Sequence, residues 1–467
     1  MNLSELFPNN PELRRNLSLE LTSGRLLWTP VFLLIAVGLC FLPDAPMADL
    51  TRIAQWVVVV VWLAGGVVWG GLRAAQSVRT ERMERTWDSQ RLTAMSAGQL
   101  AVGKVFGATA HNLYLQAVLL PIWGGLFLLR LQDAPLETSL RTALVVPATL
   151  LAGSATLYAL MVAQSFLETD PVRSARSTLF SFGVPLVSAV YLASHFWRDL
   201  LVDPDGLRSL IPGGEDVSWW GIEIAGPEFQ LASVCMFLPW AMFGLWRALR
   251  RDLQEADFPW AWPVFLLFLG VYVQGFAGWP GDSSKAVAPV GLIPLALLGW
   301  GFLLTENLDP MGLRRLLDAS GSWLERLRSG LPLSWLTLAT LAVLGLFACG
   351  GYMLSGSRGA SEIAVFLAGS SLLALRDLAL FSWISCRVAV GRQGLSRMAL
   401  AVGVHVFLPV MLLLVVGDTR LVWPSTLDPE ALNGSSKILL NLGSLGLQAV
   451  LAWAILVPAS WKRVREA

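Results

Sequence analysis

"GQLAVGKV", Gly98 to Val105, is the stretch on which two readings of this chain divide. It falls one residue short of the phosphate loop of ATPases, G-x-x-x-x-G-K followed by Ser or Thr, because Val105 stands where the hydroxyl belongs. A working loop of that kind lies between a buried strand and a helix, so that backbone amides ring the phosphates and the hydroxyl reaches Mg²⁺. Here the preceding stretch from Glu81, "ERMERTWDSQRLTAMSA", is charged and reads as helix. The residues after Lys104 enter an apolar run within a few positions. The chain also offers no Walker-type acidic run and no sizeable soluble segment, so Gly103-Lys104 reads as the entry to a membrane helix.

Composition agrees with that choice. Of 467 residues 55% are hydrophobic and 14% charged, with 42 Gly and 21 Trp, too apolar for an ordinary soluble domain. A bilayer core of about 30 Å asks for roughly 20 apolar residues per helix. That ruler places twelve spans near residues 26–42, 53–72, 105–129, 143–167, 177–197, 229–246, 260–277, 286–304, 333–352, 363–385, 398–416 and 438–459. With the N-terminus inside, 24 Lys and Arg fall in cytoplasmic segments and 9 outside, and Arg376 lies within a span. Basic residues accumulate on the cytoplasmic side, so both termini are expected there, in the cell membrane. A net charge of +1 gives no reason to expect nucleic acid as a partner. Cys40, Cys235, Cys349 and Cys386 lie in or at the ends of spans without C-x-x-C spacing and read as packing residues. The polar first 25 residues do not read as a secretory signal, and Arg14-Arg15 reads as a cytoplasmic charge pair.

Two short motifs recur. "LRRNL" at Leu13–Leu17 returns as "LRRDL" at Leu249–Leu253, and "PVFLL" at Pro30–Leu34 returns at Pro263–Leu267. In each case a short basic stretch suited to lying on the membrane leads into a span, and the loop lengths that follow run in the same order. The expected fold is all-α and polytopic: two parallel six-helix halves, residues 1–247 with a cytoplasmic loop at 73–104, and residues 248–467 with a loop at 305–332.

The stretch "TWDSQRLTAMSAGQLAVGK", Thr86 to Lys104, resembles the loop between the second and third spans of type-2 ABC export permeases. Thr86, Asp88, Thr93, Ser96, Leu100, Gly103 and Lys104 fall on like positions, while Ala94 and Ala97 replace the two usual prolines and imply a looser turn. The resemblance implies a permease without an ATPase of its own, docking a separate ATP-binding subunit through a coupling helix beside an N-terminal helix near Asn10–Ser23. Glu84, Thr86, Trp87, Asp88, Arg91, Gly103 and Lys104 are then the coupling residues. The apolar side of that helix, Trp87, Leu92 and Met95, suits a groove on the partner, with Glu81, Arg82, Glu84, Arg85, Asp88 and Arg91 at the rim. The second loop, from Glu306, keeps charge and position but lacks Gly-Lys.

Other residues suggest less. Arg376 and Asp377 are costly in a span, and as neighbours i and i+1 on a helix they are expected to need separate partners, with Arg376 free to snorkel. His111, beside Asn112, is a candidate intramembrane functional residue. With His195 and His405 it shows no paired metal-ligand spacing, so no metal or cofactor is expected and interhelical hydrogen bonding is its simplest role. Gly66-x-x-x-Gly70 and Gly299-Trp300-Gly301 read as places of close helix approach. The acidic segment between Trp197 and Phe229, with Trp219 and Trp220, suits short interfacial helices or a plain acidic loop. A secondary transporter with two six-helix repeats is the alternative reading, although that architecture carries its long cytoplasmic loop at the centre. An integral-membrane enzyme lacks converging reactive groups.

The topology is directly testable. In a background without native cysteines, labelling from outside intact cells is expected at Asp216→Cys and Asp428→Cys and not at Arg85→Cys or Arg326→Cys. Labelling at position 85 would overturn the twelve-span reading.

Overall fold

The computed structural model describes residues 10–43, 46–92, 95–130, 136–167, 217–255, 261–276, 291–305, 333–355, 360–387 and 435–456, with residues 396, 399, 400, 403, 404 and 458 besides. They are mostly helical, and their contacts form two compact units: Met1–Val217 with Ile224–Ala256, and Ser218–Glu223 with Asp257–Ala467. Among the described residues, four helices are long and apolar enough to cross a membrane, or up to six if two bent pairs each count as one span. The expected spans at 177–197 and 398–416 lie outside the described residues, apart from isolated positions in the second. Each of the others falls on helix.

In the first unit, α1 (Pro11–Glu20) is capped by Asn10, whose side-chain oxygen accepts from Leu13 N at 3.0 Å, with Pro11 at the first helical position. It meets α2 (Ser23–Leu39) at 55°. Next, α3 (Met47–Val61) runs through a π-helical segment, Trp62–Trp69, into α4 (Gly70–Met83). Arg85, with φ of +60°, turns the chain into the short α5 (Thr86–Arg91). After it, α6 (Ala97–Val102) continues through a second π segment, Gly103–Gly107, and bends by 52° into α7 (Ala110–Arg130). The unit closes with α8 (Leu136–Leu167) and α9 (Gly226–Asp252), which pack on each other. Its core is apolar and dense, with Leu100, Leu119, Met161, Leu245 and Leu249 fully enclosed.

Of the turn expected to be looser, Ala94 lies outside the described residues, and the Ala97 end is firmly capped. Ser96 and Gln99 form a capping box, Ser96 Oγ accepting from Gln99 N at 3.3 Å and Gln99 Oε1 accepting from Ser96 N at 3.0 Å. Ala97 thereby occupies the first helical position, where proline would also be tolerated. The recurrent motifs also sit differently from expectation. "LRRNL" lies on a separate helix, α1, but "LRRDL" is the last turn of α9. Pro30 stands inside α2, whereas Pro263 stands in the first turn of α10 (Ala261–Gln274), where the absent N–H costs no hydrogen bond.

In the second unit, α10 is followed by α11 (Leu292–Thr305), α12 (Leu333–Ser355), α13 (Ala360–Arg387) and α14 (Ser435–Leu451), the last running into a π segment, Ala452–Leu456. Leu266, Leu295, Leu338, Ala374, Leu378 and Phe381 form its core. Gly299 serves this packing, since a Cβ there would lie 2.7 Å from Leu338 Cδ2. The described part of the acidic segment is a hairpin and not helix: β1 (Val217–Trp219) pairs with β2 (Ile222–Ile224). Trp220 and Gly221 make its two-residue turn, both with positive φ, the twist that matches paired strands. Trp219 Nε1 donates to the Tyr272 carbonyl at 3.0 Å.

The Gly66-x-x-x-Gly70 motif works differently from its expected role. It admits side chains instead of a helix backbone: a Cβ on Gly66 would lie 2.8 Å from Gln116 Cγ, and one on Gly70 would collide with the Tyr158 hydroxyl. That hydroxyl donates to the Gly66 carbonyl and accepts from Gln116 Nε2 at 2.8 Å, while Trp62 Nε1 donates to Gln116 Oε1 at 3.1 Å. Asn112 Nδ2 donates to the Gly65 carbonyl at 2.7 Å. The π segment loosens the helix's own ladder here, and side chains of α7 and α8 satisfy the freed carbonyls. Gly70→Ala is therefore expected to destabilise the protein by about 1–3 kcal/mol through overpacking. Gly153→Ala, where nothing lies within 4 Å, should be neutral or slightly stabilising. Thermal unfolding in detergent checks the order, and an unchanged Gly70→Ala midpoint would contradict it.

Candidate functional site

The 81–104 region is organised around Lys104. Its ammonium is fully buried, donates to Glu12 Oε1 at 2.8 Å, and pairs as closely with Glu81. Arg15 Nη2 bridges the same two carboxylates, at 3.1 Å to Glu12 and 2.9 Å to Glu81. Two cations and two anions thus close a neutral group, which is the condition under which buried charge is tolerated. Asn16 Nδ2 completes it, donating to Glu12 Oε1 at 3.0 Å and to the Gly103 carbonyl at 3.2 Å. Gln90 Nε2 donates to Glu81 Oε1 at 3.0 Å.

Glycine lets α1 come this close. A Cβ on Gly103 would lie 2.5 Å from Glu12 Cγ, and one on Gly107 would lie 2.8 Å from Asn16 Cβ. Gly103 and Gly107, one helical turn apart, form the shallow face on which α1 rests. Gly98 has no such role, since only Ser96 Oγ at 3.9 Å approaches its Cβ position. The two glycines of the near-phosphate loop are there for unlike reasons. No strand precedes it among the described residues, and its lysine is paired with two carboxylates.

A second junction holds the other end of the region. Asp252, the fourth residue of "LRRDL", accepts from Arg82 Nη2 at 2.9 Å and from Trp87 Nε1 at 2.7 Å. Arg91 Nη2 donates to its backbone carbonyl at 2.6 Å. Trp87 packs against Phe166, with ring centroids 5.1 Å apart, and lies 5.8 Å from the Lys104 ammonium, within cation–π range. Trp87 therefore links the Lys104 group to Asp252.

This corrects the expected docking face. Trp87 and Lys104 are interior residues, and Met95 packs partly buried against the same core. Arg91 turns inward to Asp252, and Gly103 lies beneath α1. Glu84, Thr86 and Asp88 remain outward, Asp88 with 75% of its side chain exposed, together with Arg85, Met83 and Leu92, the last 89% exposed. Thr93 and Ala94 lie outside the described residues. The role of Asp252 was legible only as one letter of a repeated motif.

The intramembrane candidates also resolve differently from expectation. Arg376 and Asp377 pair with each other, Nε and Nη2 donating to Oδ1 at 3.0 and 2.8 Å, and Arg376 Nη1 donates to Gln448 Oε1 of α14 at 2.9 Å. Both are buried, so Arg376 does not snorkel. The bar on i,i+1 pairs holds for short side chains, whereas the long arginine stem folds back over its neighbour. His111 makes no interhelical hydrogen bond through Nδ1, which is buried without a partner; Asn112 makes that bond instead. His195 and His405 lie outside the described residues. Cys40 and Cys349 are partly buried, while Cys235 is exposed and so is not a packing residue.

The fold and this junction define a helical protein with several apolar helices able to cross a membrane, carrying in its first unit the short helices α5 and α6 braced by ion pairs. Comparison with family models, with curated proteins and with solved structures finds no match.

Lys104→Met strands two carboxylates and is expected to destabilise by about 3–5 kcal/mol. Adding Glu12→Gln and Glu81→Gln should restore much of that loss, because no buried charge then remains in the group and Arg15, 47% exposed, keeps its charge in water. Arg15→Ala, at a side chain 47% exposed, should cost about 1 kcal/mol or less. Thermal unfolding of the purified variants gives the ranking, and a Lys104→Met variant as stable as Arg15→Ala would contradict it.

Proposed function

We propose that this chain is the membrane-spanning permease subunit of an ATP-driven exporter of the type-2 class, moved by a separate ATP-binding subunit. The observation that carries the reading is the bracing of the 81–104 region. Charged helices that merely lay in solvent would need no buried lysine, no capping box and no tryptophan bound to a carboxylate 165 residues away in sequence. A segment tied to α1 at one end and α9 at the other moves as one body, as transmission of an external push into membrane helices requires.

The contact proposed for the ATP-binding subunit is the outward set Met83, Glu84, Arg85, Thr86, Asp88 and Leu92. Exposed charges at such a rim steer association, and an exposed leucine beside them supplies an apolar anchor. Trp87, Arg91 and Lys104 serve by holding that set in place. In this reading the chain performs no ATP chemistry itself.

Photo-crosslinking in native membranes tests the proposal. Probes placed at positions 84, 88 and 92 should each yield an adduct with a protein bearing a complete phosphate loop, while a probe at the interior position 87 should not. Absence of such adducts at all three outward positions, or adducts only with a second copy of this chain, would overturn the docking role.

A further inference from the structure

At the bend between α1 and α2 the structure gathers a cationic group that the Lys104 junction does not use. The Glu20 carboxylate accepts from Arg25 Nη1 at 2.6 Å and from Arg73 Nη2 at 3.3 and 3.5 Å. Arg25 Nη1 also donates to the Glu20 carbonyl at 3.3 Å. Each guanidinium carries five N–H donors, so one carboxylate shared between two of them leaves most donors unused and the group net positive. Both arginines keep that surplus at the surface, Arg25 with 42% and Arg73 with 37% of the side chain exposed. His111 lies within electrostatic reach of all three residues, and its buried Nδ1 has no partner.

The positions of these cations along the chain say what they face. Arg25 immediately precedes the apolar run 26–42 and Arg73 immediately follows the run 53–72, so both stand where apolar helix gives way to polar segment. The surface of α2 beyond Arg25 is exposed and apolar. Trp28, 54% exposed, lies 5.8 Å ring to ring from the exposed Phe32, and Leu27, Ile35 and Leu39 are exposed as well. Tryptophan at that level suits the headgroup zone of a bilayer. Surplus cations at the foot of an open apolar face match an amphiphile with anionic head and hydrocarbon tails. A soluble anion would satisfy only the arginines. A zwitterionic lipid would bring a cation of its own against them.

We propose that Arg25 and Arg73 form a binding site for the headgroup of an anionic phospholipid whose acyl chains lie along the exposed face of α2. Glu20 orients the two guanidiniums and weakens the site by competing for them. The site rests on α2 and the α3–α4 helix crossing the membrane, and it is independent of any ATP-binding subunit.

The test uses the purified full chain in phosphatidylcholine nanodiscs with and without phosphatidylglycerol, with retained lipid read by native mass spectrometry and stability by thermal unfolding. The parent should retain phosphatidylglycerol selectively, and inorganic phosphate should not displace it. The double variant Arg25→Gln/Arg73→Gln should retain it about tenfold less or weaker still, since each basic residue near a lipid surface contributes roughly one kcal/mol of attraction. Arg52→Gln, at an arginine near the other end of the α3–α4 helix, should match the parent. Glu20→Gln should bind phosphatidylglycerol more tightly even where stability falls, a direction that a purely structural role for the three residues would not produce. Equal retention by the double variant and the parent, displacement by inorganic phosphate, or weaker retention in Glu20→Gln would overturn the proposal. If the double variant does not fold, Glu20→Gln alone decides.

Discussion

A lysine ammonium sealed from water must find opposite charge within reach, and in this protein that requirement fixes where the first helix lies. Lys104 stands on the chain leading into α7, and the carboxylates that neutralise it come from α1 and from the end of α4. Removing a charge from water costs far more than one contact returns, so the pairing tolerates little displacement. Gly103 and Gly107 exist in relation to it: any side chain there would push Glu12 and Asn16 away and leave the ammonium short of a partner. The Gly-Lys pair that imitates a phosphate loop is one half of a helix-to-helix joint.

The joint is extended, through aromatic packing, to the far side of the unit. Trp87 faces Lys104 with its ring and gives its N–H to Asp252. Asn16 in "LRRNL" and Asp252 in "LRRDL" hold the same place in their motifs, and each fastens one end of the 81–104 region, Asn16 through the Gly103 carbonyl and Asp252 through Arg82, Trp87 and Arg91. The two motifs differ in setting, one a free-standing helix and the other the last turn of a long one, yet they do similar mechanical work. What remains outward is small and mixed in character: Met83 and Leu92 stand beside Glu84, Arg85, Thr86 and Asp88.

In the second unit, Arg376 and Asp377 show the same economy on a smaller scale. The pair cancels its own charge along one helix, and Gln448 ties it to α14, so the polar group becomes a point of helix registration. Near the middle of the first unit, Tyr158, Gln116 and Trp62 do likewise for a stretch of π helix.

Much was legible from composition and order. Apolar run length located the long helices among the described residues, because a long apolar segment satisfies its backbone most readily as helix. Gly103-Lys104 could be read as the start of a helix because nothing around it suited a strand and a phosphate. The direction in which each side chain points was not legible. Trp87, Lys104 and Arg91 look like surface residues in a charged stretch, and the single letter Asp252 gave no hint that it would receive two of them. Arg376 and Asp377 looked like neighbours that could not meet. Sequence period reports which residues share a helix face; it does not report what lies opposite that face. Burial of a charge is decided by partners distant in the chain, and only the tertiary structure brought α1, α4 and α9 around the 81–104 region to supply them.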